Sequence, residues 1–147
     1  MKKTDLAYVA GIIDGEGTIT VVKNGQTSSL RVSVCNTNEW LINWLRFSFG
    51  GSVYKFRKIE KNKQAWQWML TCRKARDFIV LVMPYLQIKR PQAELAIQFQ
   101  NRKNKSPRVR KSNGTWIGRT DNEKAVDMAE QLIMTNWNRR GDNIGTL

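Results

Sequence analysis

The chain has no histidine. That absence removes the commonest general base and every nucleophilic triad built on one. Only two cysteines are present, Cys35 and Cys72, and they form no C-x-x-C pair. With no imidazole to join them, a zinc site is not expected. Reduced thiols of an intracellular protein are expected instead, in a bacterial or archaeal cytoplasm or in an organelle. Long apolar runs are missing too: no stretch reaches the roughly 18 residues a membrane span needs. The start, MKKTDLAYVAGIID, is basic and then apolar, as a signal peptide is. However, no small-residue cleavage site follows, and Asp14 and Glu16 end the run, so it reads as part of the folded protein. Any catalysis must run on carboxylates, lysine, backbone and metal.

Acidic residues are scarce as well, 12 against 25 Lys and Arg, for a net charge of +13. Residues 17–120 carry 20 Lys/Arg and only four acids: Glu39, Glu60, Asp77 and Glu94. Four more acids, Asp121, Glu123, Asp127 and Glu130, sit together near the C-terminus. A basic stretch with aromatics interspersed points to a polyanionic partner; a merely soluble basic surface is the alternative. A membrane surface is disfavoured, because no amphipathic helix gathers the lysines on one face. At 147 residues the chain is read as one domain, 1–147.

The pattern of apolar residues predicts an α+β fold. Thr4 or Asp5 caps a helix over residues 6–14 that is apolar almost all round, and such a helix is expected to be buried on every side. From Thr18 the period changes to two. TITVVKNGQTSSLRVSVCNTN reads as a hairpin with strands at 18–23 and 29–36 and a turn at Asn24-Gly25. Asn36 to Asn38 cap a second helix, 39–49, stopped by Gly50-Gly51. A second hairpin follows, with strands at 52–59 and 64–72; Trp66 and Trp68 there are read as core. Helices at 74–83, ended by Pro84, and at 90–102, with Pro91 in its first turn, complete the pattern. Residues 102–120, with seven basic residues and no acid, read as a loop that grips phosphates or is simply solvated. A last helix is expected at 121–137. Two hairpins make a four-stranded antiparallel sheet with helices on one face. The other, polar face has a shape that enters a DNA major groove.

The first helix ends in a glycine-loosened turn holding Asp14 and Glu16 among Gly11, Gly15 and Gly17. A carboxylate there meets the negative end of the helix dipole, and a bound hard cation would reverse that penalty. Mg²⁺ takes one or two carboxylates, a carbonyl, waters and phosphate oxygens, and Glu16 with the Gly15 carbonyl fits such a set. Alternatively, Asp14 caps a turn and Glu16 is a solvated residue at a strand start.

VAGIIDGEG, residues 9–17, resembles the motif that names the LAGLIDADG homing endonucleases, with Val9 for the usual first Leu and Glu16 for the usual second acid. The α-β-β-α-β-β-α order to about residue 102 follows the same family. MPYLQIKRPQAEL, residues 83–95, resembles its later segment, where a lysine follows a P-hydrophobic-L stretch. The resemblance implies a metal-dependent, site-specific double-strand DNA endonuclease. With one copy of the motif it would be a homodimer on a near-palindromic target, packed through Ala10, Gly11 and Gly15. It further implies Glu16 and the Gly15 carbonyl as ligands of Mg²⁺. Mn²⁺ is an alternative ion, and Ca²⁺ would support binding without cleavage. Lys89 would stand at the scissile phosphate or serve as an ordinary phosphate contact, and Asn36 would order water. An arginine that some relatives place shortly after Asn36 is absent, and Trp40 occupies its approximate position. Base readout is expected from Thr18, Thr20, Asn24, Ser29, Arg31 and Ser33 on the first hairpin. On the second it is expected from Lys55, Arg57, Lys63, Gln64 and Gln67. A second reading is an intron RNA maturase using the same basic sheet; a regulator with an added helix-turn-helix ranks last.

Overall fold

The computed structural model describes residues 1–24, 27–105 and 111–115, together with 123, 124, 126, 127, 130 and 131. Helix α1 (Lys3–Glu16) leads into β1 (Gly17–Asn24) and β2 (Thr27–Asn36). Then come α2 (Glu39–Phe49), β3 (Ser52–Lys55), β4 (Trp66–Thr71), α3 (Cys72–Val82), a 3₁₀ turn (Met83–Tyr85) and α4 (Arg90–Lys105). The four strands form one antiparallel sheet in the order β1-β2-β4-β3. The α+β class and the element order are therefore those the sequence predicts.

The alternation in β1 and β2 does what period two requires. Ile19, Val21, Leu30, Val32 and Val34 are buried on the inner face, beside Trp68 and Leu70 of β4. Against this face pack Ile13 of α1, Ile42 and Leu45 of α2, Phe78 and Ile79 of α3, and Phe99 of α4, in one cluster. Each large side chain so buried is worth about 1.5–3 kcal/mol. The Asn38 side chain accepts the Leu41 N–H at 3.1 Å and starts α2. Gly50 and Gly51 end it, both with positive φ. At Gly51 a Cβ would lie 2.4 Å from the Met69 carbonyl oxygen, so only glycine lets β3 enter the sheet there.

Four expectations need correction. The first helix is not buried on every side: Val9, Ala10 and Ile13 are buried, while Tyr8, Gly11 and Gly15 are exposed. One stripe packs on the sheet, α3 and the 3₁₀ turn, and the opposite stripe faces outward despite being apolar. The helix also starts earlier, at Lys3, with Asp5 accepting the Lys2 N–H from inside the first turn. The second hairpin is shorter than expected, with strands at 52–55 and 66–71. Beyond Lys55 the ladder keeps one more bond, Phe56 N–H to the Ala65 carbonyl at 3.1 Å. The run FRKIEKNK then leaves the sheet, since facing like charges disfavours pairing. Finally, α4 runs to Lys105 rather than 102, because Arg102, Lys103 and Lys105 suit the negative end of a helix.

The expected basic loop thus begins as helix. Its residues 106–110 and 116–120 lie outside the described residues, and 111–115 form a turn closed by Lys111 N–H to Thr115 O at 2.7 Å. Of the expected last helix, 121–137, residues 123, 124, 126, 127, 130 and 131 are helical and the rest lie outside the described residues.

Candidate functional site

The three motif glycines separate into two kinds. A Cβ at Gly17 would sit 2.7 Å from Ile13 Cα and 2.9 Å from the Ile13 carbonyl oxygen, so the turn from α1 into β1 requires glycine. At Gly11 and Gly15 an added Cβ would meet nothing within 4 Å. These two leave backbone bare on the outer stripe of α1. Ala10, read with them as an interface residue, is fully buried in the core, because it lies on the opposite side of the helix from Tyr8 and Gly15.

The two carboxylates also do different work. Asp14 accepts three backbone N–H groups, from Gln87 at 2.8 Å, Ile88 at 3.2 Å and Lys89 at 2.9 Å. It ties α1 to the segment that opens α4 with largely exposed, charge-assisted bonds that together contribute about 3 kcal/mol. Asp14 is therefore the turn cap that the sequence left as one alternative. Glu16, the last residue of α1, is exposed. The Asn36 side-chain amide donates to its carboxylate. The Asn36 Oδ1 accepts the Asn38 N–H at 2.7 Å, which fixes the amide with its nitrogen toward Glu16. The cap of α2 thus orients the group that holds Glu16.

Lys89 joins the same end of the helix. Its Nζ donates to the Asp14 carbonyl at 2.8 Å, and the Ile13 carbonyl takes the Gly17 N–H. The next carbonyl in the last turn belongs to Gly15, an exposed residue. One end of α1 therefore collects Gly15, Glu16, Asn36 and Lys89. Among the described residues no group of three His, Cys, Asp or Glu forms a closed metal cage. One exposed carboxylate beside helix-end carbonyls instead suits a hard cation that keeps waters and takes phosphate oxygens.

The outer face of the sheet is polar, and the ladder sorts the expected contact residues. Thr18, Thr20, Ser29 and Arg31 share this face and are half-buried or exposed. Ser33 shares it but is only 7% exposed. It is recessed between Thr18 and Met69 and too short to reach outward. The Asn24 side chain lies outside the described residues. On the second hairpin, Gln67 lies on the outer face between Cys35 and Tyr54. Lys55 has the parity of Val53 and therefore stands on the inner side of the edge strand. Arg57 and Lys63 are exposed in the connection beyond the ladder. The Gln64 side chain is engaged, donating to the Phe56 carbonyl at 2.6 Å and the Ala65 carbonyl at 3.0 Å.

Sequence reasoning missed Tyr54, which is 52% exposed on the outer face. Its only signal was the register that the aromatics at Tyr54 and Phe56 obscured. It also missed Cys35, which stands beside Gln67 on that face. Partial desolvation pushes the Cys35 thiol up, and a hydrogen bond with Gln67 pulls it partly back, so it stays a neutral thiol near pH 7. Also unforeseen was the use of the C-terminal acids. Arg102 donates to Asp127 at 2.7 Å and to both oxygens of Glu130 at 2.6 and 2.8 Å. Chiefly through Glu130, this holds the guanidinium pKa above its ordinary value and docks the C-terminal segment on α4.

No protein-family model and no curated protein matches the chain. Solved structures do. The homing endonuclease I-CvuI, in complex with its target in the presence of Ca, aligns with a TM-score of 0.58 at 19% identity, over 70% of this chain and 69% of that one. An archaeal intron-encoded homing endonuclease complexed with DNA gives 0.59 at 14%, over 71% and 72%. The LAGLIDADG meganuclease I-CpaMI, bound to uncleaved DNA, gives 0.57 at 15%, over 69% of this chain and 37% of that one. At these identities the likeness is one of architecture, and the architecture of this chain is the LAGLIDADG homing endonuclease fold.

Proposed function

We propose that the protein is a site-specific double-strand DNA endonuclease that acts as a homodimer on a long near-palindromic target and hydrolyses phosphodiesters with a divalent metal. The observation that carries this reading is the convergence at the end of α1: the Asn36 amide on Glu16, and the Lys89 ammonium on the Asp14 carbonyl two residues away. Glu16 and the Gly15 carbonyl would hold the ion, Mg²⁺ first, with Mn²⁺ able to substitute and Ca²⁺ supporting binding alone. When bound, that ion supplies an activated water and neutralises charge on the phosphate. The chain's own residues do the rest. Asn36 fixes the carboxylate and orders water beside it. Lys89 brings positive charge to the phosphate as negative charge builds there. No histidine is needed.

The polar sheet face, in a chain of net charge +13, supports duplex DNA as the partner. Thr18, Thr20, Ser29, Arg31 and Gln67 are the readout residues on that face. Arginine to guanine and glutamine to adenine are the pairings geometry favours. Arg57 and Lys63 belong to phosphate contacts, which are salt-dependent and sequence-neutral. The homodimer reading is supported by the single motif in this sequence. Glu16 from each of two copies would then meet near the two-fold axis.

The test is cleavage of a randomised near-palindromic duplex library with Mg²⁺, with Ca²⁺, and by the Glu16→Gln variant. Cuts at one recurring site with Mg²⁺, absent with Ca²⁺ and in Glu16→Gln while binding persists, are the expected result. Binding without cleavage under every condition overturns it and makes structured intron RNA the next ligand to try.

A further inference from the structure

The outer stripe of α1 does not end at its glycines. Tyr8 lies on the same ridge as Gly11 and Gly15, is 53% exposed, and meets the edge of Trp44 on α2 at 5.6 Å between ring centroids. Trp44 in turn stacks on Trp40 at 6.2 Å, with the planes 11° apart. Trp40 is 66% exposed and Phe47, two turns along the same side of α2, is 92% exposed. Between them lies Asn43, also exposed. The side chains from Tyr8 through Trp40 and Asn43 to Phe47 therefore run across two helices, are uncharged and are largely aromatic, with the charged Glu16, Glu39 and Arg46 at the margin. In a chain with 25 Lys and Arg, an uncharged exposed surface is not the one that meets phosphates. Contiguous apolar area of this kind marks a protein contact.

Area decides which contact. An α1 of 14 residues is about 21 Å long, so its bare stripe offers roughly 200 Å². A stable interface needs about 800 Å² on each partner. The glycine stripe that the homodimer reading uses is too small by itself. Fully burying an aromatic side chain removes about 150–250 Å², so the exposed parts of Tyr8, Trp40 and Phe47 supply on the order of 400 Å² more. The added area adjoins the stripe through the Tyr8–Trp44 contact and brings the total to about 600 Å² per copy, the lower end of the range for specific interfaces. Tyr8 and Trp40 are already held by Trp44, so little side-chain freedom is lost when they are covered.

We propose that a second copy of this chain docks on this composite surface, with Tyr8, Trp40 and Phe47 as its apolar anchors and Gly11 and Gly15 as the line of closest helix approach. The proposal rests on the homodimer reading and adds the α2 aromatics to it. Trp40, which occupies the approximate position where some members of the resembling family place an arginine, is thereby assigned to the subunit contact.

Sedimentation velocity on the full chain, from nanomolar to tens of micromolar, tests it with Phe47→Ser and the double variant Trp40→Ser/Phe47→Ser. Both positions face solvent, so circular dichroism should be unchanged. The expected result is a dimeric wild type and a dimer dissociation constant raised at least tenfold by the double variant, with Phe47→Ser in between. A dimeric wild type whose constant is unmoved in both variants overturns this proposal and leaves the homodimer reading standing. A wild type that stays monomeric throughout overturns both. Variants that dimerise normally but bind duplex DNA less well also overturn it, and assign the aromatics to the nucleic-acid surface.

Discussion

Two sets of residues within the same nine-residue motif stand in contrast. Val9, Ala10, Ile13, Asp14 and Gly17 are engaged with the rest of the chain: three in the core, one on the backbone before α4, one in van der Waals contact with Ile13. Gly11, Gly15 and Glu16 face outward. The first set makes the fold, and the second is the set that the proposed chemistry and self-association draw on. The comparison shows that residue type alone does not assign a role. Two carboxylates two positions apart, and three glycines within seven residues, divide between packed and exposed positions by the side of the helix they fall on.

Four measurements test these distinctions. The largest effect is expected from the carboxylates. Glu16→Gln should lower cleavage about 10³-fold, by analogy with removing one oriented electrostatic group, with no change in melting temperature. Asp14→Ala should do the reverse to stability, costing about 3 kcal/mol as three N–H groups lose their acceptor. Its cleavage loss should be restored in part at lower temperature, because Lys89 is displaced only as the segment before α4 loosens. Thermal melts beside single-turnover cleavage separate the two, and a large loss of stability in Glu16→Gln would dissolve the distinction.

The glycines come next. Gly17→Ala should destabilise by about 1–3 kcal/mol through overpacking against Ile13. Gly11→Ala, which meets nothing in the isolated chain, should favour the helix by about 0.5–1 kcal/mol. If Gly11→Ala weakens self-association while the monomer gains stability, the outer stripe is the interface.

A smaller contrast separates the hairpins. Pairing between β1 and β2 runs over eight positions and between β3 and β4 over four. Amides of residues 19–22 and 30–34 should exchange with deuterium most slowly, and those of 57–63 fastest. Equal protection of the two groups would contradict the short second ladder.

The smallest effect concerns Cys35. Its folded pKa is raised, so the fold favours the neutral thiol. That contribution is fully present below the unfolded thiol pKa and fades as pH rises through the higher folded value. Alkylation of Cys35 at pH 8 should accordingly be slower than for an unfolded cysteine, and slower still in Gln67→Ala, which removes the bond that lowers the value.

How much of this was legible beforehand varied with the local signal. The first hairpin and α2 were readable to within two residues. Alternation of Ile19, Val21, Leu30, Val32 and Val34 specifies one buried face, and Asn38 with Gly50-Gly51 brackets a helix by cap chemistry. The second hairpin was not, because Val53, Tyr54 and Phe56 put apolar residues on both parities. Lys55 therefore falls on the inner face against expectation, and Tyr54 on the outer one. Ser33 lies on the expected face, yet its burial depends on Met69 of β4, 36 positions away. Glu16, Asn36 and Lys89 were named from the resemblance. That Asn36 touches Glu16, and that Asp14 holds the segment carrying Lys89, required the folded chain.

The sequence by itself determined the class of the fold, the net positive charge, the absence of histidine and the identity of the acids at the end of α1. These follow from composition, short-range periodicity and local backbone constraint, which the chain carries residue by residue. The tertiary structure decided which side of α1 is inside, which carboxylate is a staple and which a candidate ligand, and that aromatics from two helices form one surface. Those are properties of pairs of residues distant in sequence. Asp14 and Lys89 are 75 positions apart, and only when long-range packing closes that loop does the distance between them become a physical quantity.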